Sequence, residues 1–334
     1  MRIALKVLAV LLALVAVAVL WVWYRSSRDF AQPPLAGTLQ HVTVEAGGLS
    51  RTLAYYVPAG VSPRPALVFA LHGSGGSGEG MRRYSHYQFD VLADREGFVV
   101  VYPDGWKGHW NDCRRSADYA ANTENVDDPA FFRTMIDYLV EHLHADGGRV
   151  FAFGVSNGGH MAYRLALEMP RSFAALAAVA ANLPVAGNLD CAASGQPVSI
   201  AVVNGTEDPI NPYNGGLVNI MGNTSRGYVR STAETAAYWR GLAGADGPPV
   251  TTYLPEGDGD PRTRIRLERW RGRAGVEVRV YTLEGSGHVL PARASSLVNR
   301  LLGGSARDID AAPELWAFFS TAARARDGAH ADAP

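Results

Sequence analysis

Short apolar runs recur along this chain: Ala66 to Leu71, Phe98 to Tyr102, Val150 to Phe153, Phe173 to Ala181, Val198 to Asn204 and Val276 to Leu283. Each is too short for a buried helix and rich in strand formers, as expected of strands covered on both faces. Longer stretches with helical periodicity fall between them. Glu79 to Glu96 reads as one helix stopped by Gly97, and Asp127-Asp128-Pro129 opens another that runs to about His144. Acids and proline in a first turn suit a helix start, so these two carboxylates read as a cap. A third helix covers Met161 to Met169. A fourth, Ser231 to Leu242, carries the capping-box pair Ser231 and Glu234. The last, Asp308 to Ala323, turns Leu315, Trp316, Phe318 and Phe319 inward. Ahead of all these, Thr38 to Glu45 and Arg51 to Val57 form a hairpin about Gly47-Gly48. Strands alternating with helices predict an α/β fold, with a mostly parallel central sheet and helices on both faces.

The ends of the chain differ from this pattern. Arg2 and Lys6 lead into an unbroken apolar run, Val7 to Tyr24, which closes on Trp21, Trp23 and Tyr24 before Arg25. The run is nearly long enough to cross a bilayer, and its aromatic end resembles an interfacial belt. Residues 1–24 are therefore read as a membrane anchor in preference to a cleaved signal, either of which exports the rest. Residues 25–37 form a linker, 38–323 the catalytic domain and 324–334 a frayed tail. Composition narrows the possibilities further. A 47% apolar content supports a large core, and a net charge of −1 without charge blocks excludes a nucleic-acid partner. The arginines between Arg262 and Arg273 alternate with Ile265, Leu267 and Trp270, as in a strand and turn with solvated cations. Two cysteines, Cys113 and Cys191, fit one disulfide in an exported protein, though sequence alone does not pair them. They make no metal site, and nothing calls for a cofactor.

The chemistry centres on Gly154-Val155-Ser156-Asn157-Gly158, placed between a strand and a helix. With 36 glycines in 334 residues the pattern alone carries little information. In the strand–turn–helix context it is a nucleophile elbow of the α/β-hydrolase kind, in which a Cβ at either glycine would meet neighbouring chain. A serine hydroxyl needs a base, and the base an acid to orient it. His288, in Gly285-Ser286-Gly287-His288 just past the last strand, is the credible base. His330 lies near the chain end, His72 reads as scaffold and His160 as packing. For the acid, Gly205-Thr206-Glu207-Asp208-Pro209 follows a strand of parallel type. Asp208 is favoured over Glu207 because Pro209 fixes the turn beyond it, with Asp190, Asp258 and Asp260 as outsiders. His72-Gly73-Ser74-Gly75-Gly76-Ser77-Gly78 lacks the Lys-Ser/Thr of a phosphate loop and is read as an oxyanion loop. Ser74 or Gly75 would supply one backbone donor, and Asn157 the other. Between Trp106 and Asn125 runs a long polar and aromatic loop of functional length. Its Trp110 either lines the substrate pocket or packs, and Tyr213 and Val289 border the site.

These motifs, with Val126-Asp127-Asp128, Pro212-Tyr213-Asn214-Gly215-Gly216 and Arg307-Asp308-Ile309-Asp310-Ala311-Ala312, resemble the polyhydroxybutyrate depolymerase and feruloyl esterase-like family of exported bacterial esterases. The similarity runs from about Thr38 to Ser320. It implies the same three residues, Ser156, Asp208 and His288, as a triad, with short hydroxyalkanoate oligomers or feruloyl and acetyl esters as substrates. Many members carry Thr-Trp-Pro after the base, whereas this chain has Val289-Leu290-Pro291. A peptidase of the same fold and a non-catalytic exported binding module are the competing readings.

Overall fold

The structure, a computed structural model, describes residues 31–257, 260–294, 302–304 and 307–331. The expected anchor at 1–24, and Asp258, lie outside the described residues. Among those described, no helix is long and apolar enough to cross a membrane. Ten strands form one sheet. In chain order these are β1 (Thr38–Ala46), β2 (Leu49–Val57), β3 (Leu67–Leu71), β4 (Val99–Pro103), β5 (Val150–Val155), β6 (Ala175–Val179), β7 (Ser199–Gly205), β10 (Val250–Tyr253), β11 (Arg264–Arg271) and β12 (Glu277–Glu284). Between β7 and β10, β8 (Gly216–Leu217) and β9 (Tyr228–Val229) make a separate small hairpin. Across the sheet the order is β1-β2-β4-β3-β5-β6-β7-β12-β11-β10. From β4 to β12 every neighbour is parallel, and an antiparallel pair closes each side. The fold is that of an α/β-hydrolase.

The strand period of two splits the core in two. Along β5, Val150 and Ala152 face one layer with Phe131, Phe132 and Met161, whereas Phe151, Phe153 and Val155 face another with Phe89, Phe318 and Phe319. The helices α4 (Asp128–Leu143), α5 (Asn157–Glu168) and α6 (Thr232–Ala243) contribute to the first layer. α1 (Gly78–Tyr84), α2 (Gln88–Glu96) and α7 (Ala311–Ala331) contribute to the second. α3 (Ala120–Thr123) is a single turn within the long loop.

Three local differences from expectation have physical causes. The helix expected over Glu79 to Glu96 is two helices, because His86 and Tyr87 adopt left-handed backbone (φ 53° and 57°). The buried Arg82 guanidinium, bonded to Asp90 and lying over the Tyr87 ring, draws α2 back against α1 across that corner. α5 begins at Asn157 and not at Met161, since Gly158 and Gly159 are poor helix formers and hide its first turn. Of the two expected capping acids only Asp127 caps, accepting from the Ala130 N–H at 2.9 Å. Asp128 is fully buried and pairs with Arg51 at 2.8 Å. The last helix, α7, runs from Ala311 to Ala331.

Candidate active site

Ser156 follows β5 directly and precedes α5, at φ 58° and ψ −117°. A non-glycine residue holds such a conformation only where the surroundings enforce it. The two flanking glycines show how. A Cβ on Gly154 would lie 2.1 Å from the Gly158 carbonyl oxygen, and one on Gly158 would lie 2.4 Å from that of Leu71. Strand end, helix start and the end of β3 are pressed together, and the serine is turned outward at their apex. Its backbone N–H is anchored on the Val179 carbonyl at 2.9 Å.

Parallel pairing brings the acid and base together. β7 and β12 are neighbours, with Gly205 opposite Leu283, so the loops leaving them emerge side by side. The Glu207 N–H donates to the Ser286 carbonyl at 2.9 Å and clips the two loops to each other. Asp208 and His288, 80 residues apart in sequence, then meet with Asp208 Oδ2 2.7 Å from His288 Nδ1. The other carboxylate oxygen accepts the Ile210 and Asn211 N–H groups, each at 2.8 Å, which fixes the carboxylate's plane. Both side chains are buried. An ionised Asp208 can only accept, so Nδ1 carries the hydrogen and Nε2 is left with its lone pair. Glu207, by contrast, is exposed. Asp190 and Asp260 pair with Arg115 and Arg262 away from this pair.

Ser156 and His288 line one cavity of about 360 Å³. Its floor and walls are His72, Gly73 and Ser74 from the loop after β3, Gly80, Met81 and Tyr84 from α1, and Ile210, Ile220 and Leu302 from later loops. Of the two donors expected from the glycine loop, the Gly75 N–H is already spent on the Gly108 carbonyl at 2.8 Å. Ser74 lines the cavity, and its N–H has no acceptor among the described residues. Asn157 starts α5, where first-turn N–H groups lack intrahelical partners. Its amide side chain faces the other way and is saturated: Oδ1 accepts the Trp110 N–H at 2.8 Å, and Nδ2 donates to the Trp110 carbonyl, Asp112 and the Tyr119 hydroxyl. His72 is scaffold. Nδ1 donates to the Gly73 carbonyl at 2.8 Å while Nε2 accepts the Gly105 N–H at 2.9 Å. Burial holds its pKa below the ordinary histidine value, consistent with that neutral tautomer.

The three residues expected to border the substrate are not on the cavity wall. Trp110 is fully buried, with its indole N–H donating to the His72 carbonyl at 3.0 Å, so it packs. Val289 is also buried, because the chain dives into the core immediately after His288. Tyr213 is half-buried and its hydroxyl is engaged by Thr282 at 2.9 Å. The wall residues Met81 and Tyr84 went unnoticed in the sequence, although helical spacing from Gly80 along α1 was the available signal. Also unanticipated is the buried Asp112–Arg114 pair behind Asn157. Burial alone would raise the Asp112 carboxyl, but the Arg114 charge takes it below its usual range. Between these two residues, Cys113 forms a disulfide with Cys191 across a Cα separation of 5.0 Å.

An elbow at the end of a central parallel strand, with an aligned acid–histidine pair supplied from two and three strands away, defines an α/β-hydrolase. The family described as esterase PHB depolymerase matches residues 50–207. Over 288 residues the chain is 30% identical to "Putative esterase NocK" of Nocardia uniformis subsp. tsuyamanensis, covering 83% of this chain and 81% of that protein. The chain belongs to the esterase PHB depolymerase family, and with it to the carboxylic ester hydrolases. It is also 32% identical over 146 residues to feruloyl esterase B of Neurospora crassa, a match that covers 43% of this chain and 49% of that one. Among solved structures, an acetyl xylan esterase from Aspergillus awamori superposes with a TM-score of 0.55 at 19% identity, over 85% of this chain and all (100%) of that one, a likeness of fold.

Proposed function

We propose that the protein is an exported serine esterase that cleaves small esters or soluble oligomers through an acyl-enzyme on Ser156. The observation that carries this reading is the 2.7 Å bond from Asp208 to His288, on the cavity that also presents Ser156 at its strained turn. His288 Nε2 takes the hydroxyl proton as Oγ bonds to the ester carbonyl carbon. The charge that develops on the carbonyl oxygen is met by the Asn157 and Ser74 N–H groups. As the intermediate collapses, the C–O bond breaks and the departing alcohol takes the proton from His288. Water, deprotonated by the same nitrogen, then attacks the acyl-enzyme and releases the acid and Ser156. Asp208 keeps the imidazole in the tautomer that both half-reactions need.

A cavity of 360 Å³ is at the small end of the range for ligand sites and accommodates an acetyl, feruloyl or short hydroxyalkanoyl group. The Cys113–Cys191 bond suits an oxidising compartment, in keeping with export. The test is hydrolysis of p-nitrophenyl butyrate by the wild type and by Ser156→Ala. Loss of the nucleophile should lower kcat by roughly 10⁴- to 10⁶-fold. Equal rates would remove Ser156 from the reaction. A panel of hydroxybutyrate oligomers, methyl ferulate and acetylated xylan then ranks the substrates.

A further inference from the structure

The wall of the cavity carries a phenolic hydroxyl that the reaction above does not use. Tyr84 is the last residue of α1, and it lines the cavity together with Met81 and His288. Its phenolic oxygen accepts the Leu290 N–H at 3.3 Å, two residues beyond the base. That bond occupies a lone pair and leaves the O–H hydrogen, which has no acceptor among the described residues. Burial pushes the phenol up to about 12, so the group stays protonated, and therefore a donor, throughout the range in which an esterase works. Apart from the exposed Ser74 hydroxyl and the reacting Ser156 and His288, the wall side chains are apolar or already satisfied: those of Met81, Ile210, Ile220 and Leu302 offer no hydrogen-bond donor, and both ring nitrogens of His72 are bonded. No Lys, Arg, Asp or Glu lines the cavity among the described residues.

We propose that Tyr84 is a specificity-determining residue, its O–H donating to an oxygen of the bound ester other than the reacting carbonyl. The preferred substrates are then uncharged esters with an ether, hydroxyl or second ester oxygen close to the scissile bond, in preference to alkyl esters of the same length. A half-buried donor that binds only the oxygen-bearing ligand discriminates by the bond it makes with one and lacks with the other. This rests on the esterase reading, and the two can be separated by experiment.

Two isosteric pairs, each exchanging one methylene for oxygen, provide the probes. p-Nitrophenyl methoxyacetate against p-nitrophenyl butyrate examines the acyl arm, and 2-methoxyethyl acetate against butyl acetate the alcohol arm. The ratio of kcat/KM within each pair is measured for wild type and for Tyr84→Phe. Comparing ratios cancels the intrinsic reactivity of the esters. It also cancels any uniform loss from leaving the Leu290 N–H without its acceptor. One neutral hydrogen bond predicts that the ratio falls about three- to tenfold in the variant for at least one pair, and that pair identifies the arm. Ratios unchanged in both pairs overturn the proposal. Binding of the 2-methoxyethyl and butyl acetates to Ser156→Ala and to Ser156→Ala/Tyr84→Phe, followed by ligand-observed NMR titration, reads the same preference without turnover. A preference for the ether lost in the double variant supports the role of Tyr84 even if Ser156 proves not to be the nucleophile. Equal affinities in the single variant, together with an unchanged ratio for the acyl-arm pair, refute it.

Discussion

At the elbow, the chain is held by the absence of side chains: Gly154 and Gly158 let three backbones touch, and Ser156 takes a left-handed conformation because nothing else fits. The strap from Trp106 to Asn125, which covers the elbow from behind, is held by side chains instead. Its Asp112–Arg114 pair is fully buried, Trp110 fills the space under His72, and Cys113 is tied to Cys191. Backbone bonds from Asp190 to Cys113 at 2.8 Å and from Arg115 to Asn188 at 2.9 Å run alongside the disulfide. The two regions meet in one residue. Asn157 gives its backbone to the elbow and its side chain to the strap. Steric exclusion tolerates no substitution but needs no partner. A buried charge pair is tolerant of shape and fails when either partner is lost.

The largest effect should come from breaking the steric half. Gly158→Ala puts a methyl group 2.4 Å from the Leu71 oxygen, where the first turn of α5 lies against the end of β3. It should cost about 4 kcal/mol or more, or prevent folding, in urea denaturation. A loss under about 1 kcal/mol would show that the elbow relaxes. Next comes the strap's charge pair. Asp112→Asn leaves Arg114 buried without its counter-charge and should cost about 3–5 kcal/mol. Arg114→Met combined with Asp112→Leu should recover much of that, since the penalty is an unpaired charge and not a lost contact. If the double variant is no better than the single one, the pair has a role beyond charge balance.

Smaller still is the disulfide. Cys113→Ser/Cys191→Ser opens a crosslink spanning 78 residues and should lower stability by about 2–4 kcal/mol. Because Asn157 is also held by hydrogen bonds, the elbow should keep its shape in this variant. Near-unchanged kcat on p-nitrophenyl butyrate in the folded fraction is expected, and a large fall would show that the bridge itself maintains the donor. The mildest probe is acid. Burial, and beside it the Arg114 charge, holds His160 well below the ordinary value, and burial does the same for His72. Both are lowered relative to the unfolded chain, which therefore binds more protons below its value of 6.5. Their contribution to stability is thus present above about pH 6.5 and is lost as pH falls below it, by up to about 1.4 kcal/mol per pH unit for each. His160→Gln should flatten that part of the stability–pH curve. An unchanged slope would mean that His160 is already protonated in the fold.

How much of this could be read in advance differs between the regions for the same reason. The elbow is local. Strand, glycines, serine and helix are adjacent in sequence, and the steric rule that joins them applies within five residues. Chain order, the loop positions past parallel strands and Pro209 pointed to Asp208 and His288, because loops at the C-terminal ends of parallel strands gather at one end of the sheet. The strap has no such rule. Asp112, Arg114 and Tyr119 look like ordinary polar loop residues, and only packing against Asn157 makes them interior. Trp110 shows the converse, an aromatic residue that suggests a pocket wall and proves to be a pillar beneath one.

By itself the sequence determined the alternation of strand and helix, the elbow, and the Asp208 and His288 that the fold brings into a pair, since each depends on periodicity, glycine sterics, turn chemistry or chain order. The tertiary structure decided that Gly75 is occupied by Gly108 and Ser74 is not, that Val289 and Trp110 face inward, that Cys113 and Cys191 are joined, and that Tyr84, at the end of α1, lines the cavity. Those outcomes turn on contacts between segments tens of residues apart, where burial and hydrogen-bond partners are settled by packing and leave no local mark on the chain.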